Sequence, residues 1–559
     1  MITARGSGLD PTLESNLVAL RERDEELVRR LLLPVRGDHV IVGGPNPSLY
    51  RSHHTLEEFT VSSQDLEASV ADVQDGDDVF LFGVSLGEQL AHLLRTRPAC
   101  KITVWDRDPW LFRLTLQKQD YRNSLRFGRV RLALGADLVG LFEGLPGRRV
   151  VVHPFFRHQY SDELALVEAA AQGRPPRGPW TALGMGGFVV AEVGEALRAE
   201  GHQTFPFEVQ RWAPGETALA LRRLRPQRLV MVNYSREVAE VCEAERVPLV
   251  VWEIDPSTDR TAEVVGNGQN VRLFTYREKH VELYRSAGFP NVAHLPPGSD
   301  TLKRHPVELS DEQRAWFGSD VCFVGSSMAG HARKYRRLFL QLHASFDSMG
   351  VESFEQTEAR LDEVLSLERQ DYSQSRIIEL VEERFAEFLA AARKSRTRDD
   401  PVKWVAEIAA SEKRMHYVNT LGRFGIRVWG DREWERIDTL GGGARYLGTA
   451  GHAAELTLVY NGAKIHVDIN RSYQTDVIPI RVFDVLACGG FLIAEHSAEL
   501  AELFKIGAEL EAYHTLDELE QKVEYYLAHP DEARAIAARG LAAVRERHTV
   551  RHRVRELLG

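Results

Sequence analysis

Two aspartates and two glycines pose the first chemical question. Asp484 lies inside an apolar, helix-like run, Arg481-Val-Phe-Asp-Val-Leu-Ala-Cys-Gly-Gly-Phe-Leu-Ile-Ala494, and Asp476 stands eight positions before it. Val482, Phe483, Val485 and Leu486 recur at helical spacing, so Asp484 either occupies a solvated face or turns toward a ligand. Gly489 and Gly490 end the helix and let the backbone come close to another group before the chain re-enters a strand. An inward acid next to a glycine break reads as a nucleotide site. Arg481 borders the acid helix, and Lys464 stands between strand-like apolar residues, where an inward lysine is unusual. Arg333 belongs to the basic run His331-Ala-Arg-Lys-Tyr-Arg-Arg337, which also fits a solvated helix face. His466 reads as a packed or hydrogen-bonded histidine.

The elements that must position these residues alternate between strand and helix. Up to about residue 175, Asp38–Gly44, Asp78–Gly83, Lys101–Asp106 and Arg149–His153 read as buried parallel strands separated by helical segments. Val79 to Asp106 forms a nucleotide-binding βαβ pattern, with Gly83 and Gly87 in the turn and Asp106 ending the second strand. The Gly/Pro/Arg-rich stretch 172–179 marks a boundary. Further buried strands at Arg228–Asn233 and Pro248–Ile254 imply a doubly wound sheet, with Asn233, Tyr234, Glu253 and Asp255 at the strand ends where ligands gather. His294–Asp300 reads as a hinge into a third unit opening with the strand Asp320–Gly325. Residues 332–421 follow helical periodicity interrupted only by Pro401, which predicts a helical insertion. Strands resume at Ile426–Gly430 and Ala463–Asp468, and the tail from Asp531 is helical.

Size and composition bound the function. A chain of 559 residues is too long for one core and predicts about three domains. Hydrophobic content of 43% and charged content of 27% are those of globular protein, and a net charge of −11 argues against nucleic acid as a partner. The widely separated Cys100, Cys242, Cys322 and Cys488 form no C-x-x-C pair, so they read as reduced, buried thiols. The N-terminus has no apolar signal region and no run is long enough to span a bilayer, which together place the protein in the cytoplasm.

The spacing of Asp476 and Asp484 ahead of the Ala-Cys-Gly-Gly turn resembles the paired-acid motif of GT-B fold glycosyltransferases. Residues 180–550 resemble the CgeB-type, or spore maturation protein-like, members. The resemblance is carried by Val321–Gly330 with Arg333 and Arg337, by Arg427-Val-Trp-Gly-Asp431, by Tyr460–Asn470, and by Asp476–Ala494. It departs from the family where Asp431 replaces the second glycine of a Gly-x-Gly-Trp pattern, and where both paired acids are Asp rather than Glu. The first block resembles the S-adenosylmethionine-binding half of methyltransferases and the N-terminal region of motility accessory factor proteins.

The resemblance implies an α/β fold, a GT-B pair of Rossmann-like domains with a helical insertion, preceded by a further Rossmann-like domain. The boundaries are 1–175 for the accessory domain, 176–300 for the acceptor domain, 301–530 for the donor domain and 531–559 for a C-terminal helix. It implies transfer of a sugar from a nucleotide diphosphate, a UDP-sugar, to a hydroxyl on a protein or glycan, without a bound metal. Asp484 would hold ribose hydroxyls, together with Asp476. Amides of Gly325, Ser326, Ser327, Gly489 and Gly490 would face the diphosphate near helix starts, and Arg333, Lys464 and Arg481 would neutralise its charge. Asp255, then Glu253, would be the general base of an inverting reaction. The resemblance implies no required cofactor, although S-adenosylmethionine bound at Asp106, Gly83 and Gly87 is the alternative chemistry. A non-catalytic assembly protein using the helical insertion is a third reading, and homo-oligomerisation is left open.

Overall fold

The computed structural model describes residues 10–35, 41–42, 48–51, 58–187, 189–254, 263–346, 352–395, 400–451 and 454–559. The chain forms two compact units, residues 1–275 with 280–294, and residues 276–279 with 295–559. The break at 294/295 falls inside the segment read as a hinge.

In the first unit two helices, Pro11–Arg21 and Glu25–Leu32, come before a small antiparallel sheet of β1 (Ile41–Val42), β2 (Ser48–Arg51) and β3 (Glu58–Val61). This corrects the reading of Asp38–Gly44 as a buried parallel strand, since Ile41 and Val42 pair antiparallel with Tyr50 and Leu49. Next come β4 (Asp78–Phe82), β5 (Lys101–Asp106), β6 (Val130–Leu134) and β7 (Arg149–Val152), a parallel sheet in the order β6-β5-β4-β7. Val79 through Phe82 are all fully buried, as expected for strands covered on both faces. A second parallel sheet holds β8 (Trp180–Gly184), β9 (Gln203–Phe207), β10 (Arg228–Val232), β11 (Leu249–Glu253), β12 (Val271–Thr275) and β13 (Val292–His294), ordered β13-β12-β11-β10-β8-β9. One hydrophobic core, from Leu13 to Val292, runs through both parallel sheets and across the 172–179 stretch.

In the second unit β14 (Ser319–Val324), β15 (Arg427–Trp429), β16 (Arg445–Gly448), β17 (Ala463–Val467), β18 (Leu492–Glu495) and β19 (Glu511–Tyr513) form a parallel sheet ordered β16-β15-β14-β17-β18-β19. Helices Ala329–Phe346, Phe354–Arg369, Ile377–Arg384, Ala386–Lys394 and Pro401–Thr420 stand between β14 and β15, matching the expected insertion. They have a core of their own, built around Phe339, Leu361, Val364, Leu365, Ile377, Val381 and Val405. Pro401 begins a helix rather than interrupting one. Its missing N–H costs nothing at the first helical position, and Asp400 accepts the Val402 amide at 3.0 Å.

The fold is therefore mixed α/β with several Rossmann-like parallel sheets. Among the described residues no helix is long and apolar enough to cross a membrane. All four cysteines are free and buried.

Candidate functional site

In the second unit the strand order reverses between β14 and β17, and ligands of open parallel sheets bind outside the carboxyl ends at such a switch point. The loop after β14, Gly325-Ser326-Ser327-Met328, leads into the helix Ala329–Phe346. Most of its hydrogen-bonding groups are already engaged. Ser326 Oγ (2.7 Å), Ser327 N (2.6 Å) and Ser327 Oγ (2.6 Å) all donate to the Asp431 carboxylate, and Gly325 N donates to the Trp429 carbonyl at 2.9 Å. Those bonds hold the Asp431 carboxyl below its usual range, although its burial opposes them. Asp431 thus takes up the loop's donors, and two of the three loop amides expected to face a diphosphate, those of Gly325 and Ser327, are bonded within the chain.

The other side of the crevice carries a cluster of arginines that the sequence reading only partly identified. Arg414, on the helix Pro401–Thr420, is 6% exposed and ties the two loops together. Its Nε donates to the Ile469 carbonyl at 3.1 Å and its Nη1 to the Ser326 carbonyl at 2.8 Å. Arg481, at the start of the helix Ile480–Ala487, pairs with Asp468 and lies 5.5 Å over the Phe323 ring. Arg471 lies 3.7 Å from Glu407 and donates to Gln474 Oε1 at 3.3 Å. Among the described residues, Asp468 and Glu407 are the carboxylates that pair with Arg481 and Arg471, and Arg414 bonds only backbone carbonyls. Burial, followed by the nearness of Arg481 and Arg471, pushes the Arg414 guanidinium down to about 9. Asp468 is buried and its Oδ2 has no hydrogen-bond partner. Lys413 and Glu495 form a separate pair 2.5 Å apart, with the lysine fully buried. An anion that also carries hydroxyls would meet both needs of this site.

The paired acids are not arranged as their spacing suggested. Asp484 faces neither solvent nor an open site. It is 7% exposed, accepts Ser299 Oγ at 2.6 Å, and lies 3.3 Å from Arg304 Nε. Asp476 is held by Arg277 through bonds of 3.1 and 2.8 Å, and that guanidinium draws its carboxyl below the usual range against the effect of burial. Gly489 and Gly490 end the helix, as expected, but their amides point back into it rather than toward an open site. Gly489 N donates to the Leu486 carbonyl (3.0 Å) and Gly490 N to the Val485 carbonyl (3.0 Å), closing the helix as a C-cap. A Cβ on Gly490 would come within 2.9 Å of Val485 Cγ1 and 3.0 Å of His466 Cδ2, so close packing accounts for this glycine. His466 is buried, with Nε2 2.9 Å from the Tyr460 carbonyl, and burial pushes it down to about 4.

Lys464 points outward, not inward. It is 68% exposed, pairs with Asp320 at 2.7 Å, and sits at the amino end of β17, away from the strand ends that carry the arginines. Replacing Lys464 by Ala is expected to shift stability, measured by urea titration, by no more than about 1 kcal/mol. Arg333 is half-exposed and pairs with Glu433 at 2.6 Å. In the first unit Glu253 ends β11 buried, and its Oε1 accepts the Tyr234 amide. Asp255 lies outside the described residues.

The first unit's β4/β7 switch point is filled by the chain's own side chains. A Cβ at Gly83 would come within 2.3 Å of the Phe156 ring. Asp106, fully buried, accepts Val84 N (2.7 Å), Asp108 N (2.9 Å) and Tyr160 Oη (3.0 Å), so both of its oxygens are engaged. Burial pushes Asp106 up to about 7. A raised folded pKa adds stability that is complete below the unfolded value, about 4, and is lost as pH rises through about 7. Hydrogen exchange of the β4 and β5 amides, corrected for intrinsic rate, is therefore expected to lose about a hundredfold in protection between pH 5 and pH 8, most of it below pH 7. Flat protection would contradict the assignment.

Comparison with known proteins places the second unit's site in context. No curated protein sequence matches the chain. A glycosyltransferase from Rickettsia africae ESF-5 aligns with a TM-score of 0.41 and 10% identity, over 68% of this chain and 96% of its own. The Anabaena protein HepE in complex with UDP and glucose aligns with a TM-score of 0.31 and 9% identity, over 86% and 98%. The MAf glycosyltransferase of Magnetospirillum magneticum AMB-1 aligns at 0.21 with 12% identity, over 52% and 57%. The family profile that matches is described as glycosyl transferase-like, and its match, residues 406–559, takes in Glu407, Arg414, Asp468, Arg471 and Arg481.

Proposed function

We propose that the protein is a glycosyltransferase that moves a sugar from a nucleoside-diphosphate sugar, with UDP as the nucleotide, to a hydroxyl of a protein or glycan acceptor. The observation that carries this reading is the arginine cluster around Asp468, at a sheet switch point and inside the segment that matches the glycosyl transferase-like family. In the reaction the acceptor oxygen bonds to the anomeric carbon as the bond from that carbon to the diphosphate oxygen breaks. Negative charge grows on the leaving diphosphate. Arg414, Arg471 and Arg481 stand where they would neutralise it, a role that elsewhere falls to a metal ion. Asp468 Oδ2 would take a sugar or ribose hydroxyl. Asp476 and Asp484 support the site through Arg277, Ser299 and Arg304. Asp255 and Glu253 remain the candidates for the base, in a GT-B pair formed by residues 176–300 and 301–530 of a CgeB-like chain.

A thermal-shift panel of UDP, GDP, dTDP, CMP and S-adenosylmethionine tests the reading, because a ligand that binds only the folded state raises the apparent stability. Stabilisation by UDP is expected, followed by transfer from a labelled UDP-sugar that persists in EDTA. Stabilisation by S-adenosylmethionine alone would move the chemistry to the first unit.

A further inference from the structure

A second concavity of about 590 Å³ lies within the second unit, where the helical insertion meets the segment after β15. Arg333, Arg336, Arg369 and Arg436 line it, with Glu412 as the one acid on its wall. Helix Pro401–Thr420 divides this cavity from the switch-point site. Ile408, Glu412, Met415 and Asn419 face the cavity at helical spacing, whereas Glu407 and Arg414 belong to the arginine cluster. The two sites therefore occupy adjoining faces of one helix, and Ser411, which lines the cavity, donates to the Ser327 carbonyl of the switch-point loop at 2.9 Å.

The lining residues carry four arginines against Glu412, and three of those arginines have carboxylate partners. Arg333 pairs with Glu433, and Arg336 with Glu358 and Asp362, carboxylates that are 38–53% exposed and so screened by solvent. Arg369 pairs with Glu412 at 2.9 Å, and burial raises the Glu412 carboxyl. Among the described residues the Arg436 guanidinium makes no ion pair, and His416 beside it lines the same wall. Tyr372, Ile408 and Met415 supply apolar surface for the face of a ring. The volume falls within the range of small-ligand sites.

We propose that this cavity binds a saccharide bearing an anionic group, phosphate or carboxylate, with the acid on Arg436 and its neighbours and the ring against Tyr372. The proposal goes beyond the transferase reading and stands whether or not that reading holds.

Saturation-transfer NMR on the full chain tests it, with glucose 1-phosphate and glucuronate as probes and glucose as the uncharged control. One or both acids are expected to bind at least about tenfold more strongly than glucose, since charge-assisted hydrogen bonds are lost with the acid. Which acid gives the signal separates phosphate from carboxylate. Arg436→Ala, at an exposed residue, and Arg333→Gln, which is half-exposed, are each expected to weaken that binding severalfold, whereas Arg481→Ala, compared at matched folded fraction, leaves the signal per folded molecule unchanged. The proposal is overturned if glucose binds equally well, if neither acid binds, or if both cavity variants bind as the parent does. Loss of the signal in Arg481→Ala alone would assign the probes to the switch-point site and overturn it too. Failure of UDP to bind, with the acid signal retained, would count against the transferase reading alone.

Discussion

Asp484→Ala is expected to lower the stability of the second unit by about 3–5 kcal/mol, because removing one partner of a buried ion pair takes away a counter-charge that the interior cannot replace with water. The Arg304 side chain is only 8% exposed and lies 3.3 Å from Asp484 Oδ2. Ser299 Oγ would also lose its acceptor, now 2.6 Å away. Asp484→Asn keeps the shape and one acceptor oxygen, so it should fall between Ala and the parent. Urea titration followed by hydrogen exchange over 295–304 and 480–487 measures the loss. If Asp484→Ala unfolds at the parental urea concentration, Asp484 does not hold this network together. A solvated Asp484 on an amphipathic helix would have predicted no loss of stability, so this measurement also separates that reading from the buried one.

Arg481→Ala is expected to weaken UDP binding by about 10–100-fold, the effect of losing one charge-assisted contact to a diphosphate. The same change leaves Asp468, whose side chain is 1% exposed, without its partner, so some loss of stability will accompany it. Arg481→Lys distinguishes the two effects. Lysine can restore the charge opposite Asp468 but not the planar fork, so stability should recover further than affinity. Calorimetry with UDP, at matched folded fractions, reads the difference. Unchanged UDP affinity in Arg481→Ala would remove the diphosphate from this cluster and with it the main support for the proposed reaction.

The order of strands and helices was largely legible in the chain. Buried parallel strands such as Val79–Phe82 and Leu249–Trp252 are continuous apolar runs, and the insertion shows a helical period with Pro401 at a helix start. β2, β3, β6, β9, β12, β13, β16 and β19 escaped notice, as did the antiparallel pairing of Ile41 and Val42, which depends on a partner strand. The candidate site was legible only in part. Arg481 was identified because it borders the acid helix. Arg414 was not, since in a long helix nothing local distinguishes a buried arginine from a solvated one.

By itself the sequence determined the α/β alternation, the helical insertion, the helix that carries Asp484 and the glycines that end it, because each is a local pattern of period and breaker residues. The tertiary structure alone decided what those residues do. Asp484 lies 185 positions from Ser299 and 180 from Arg304, and Asp431 lies 104 from Ser327. Periodicity assigns a residue to a face but not the distant group that meets that face, and whether a carboxylate awaits a ligand or already holds an arginine depends on that group.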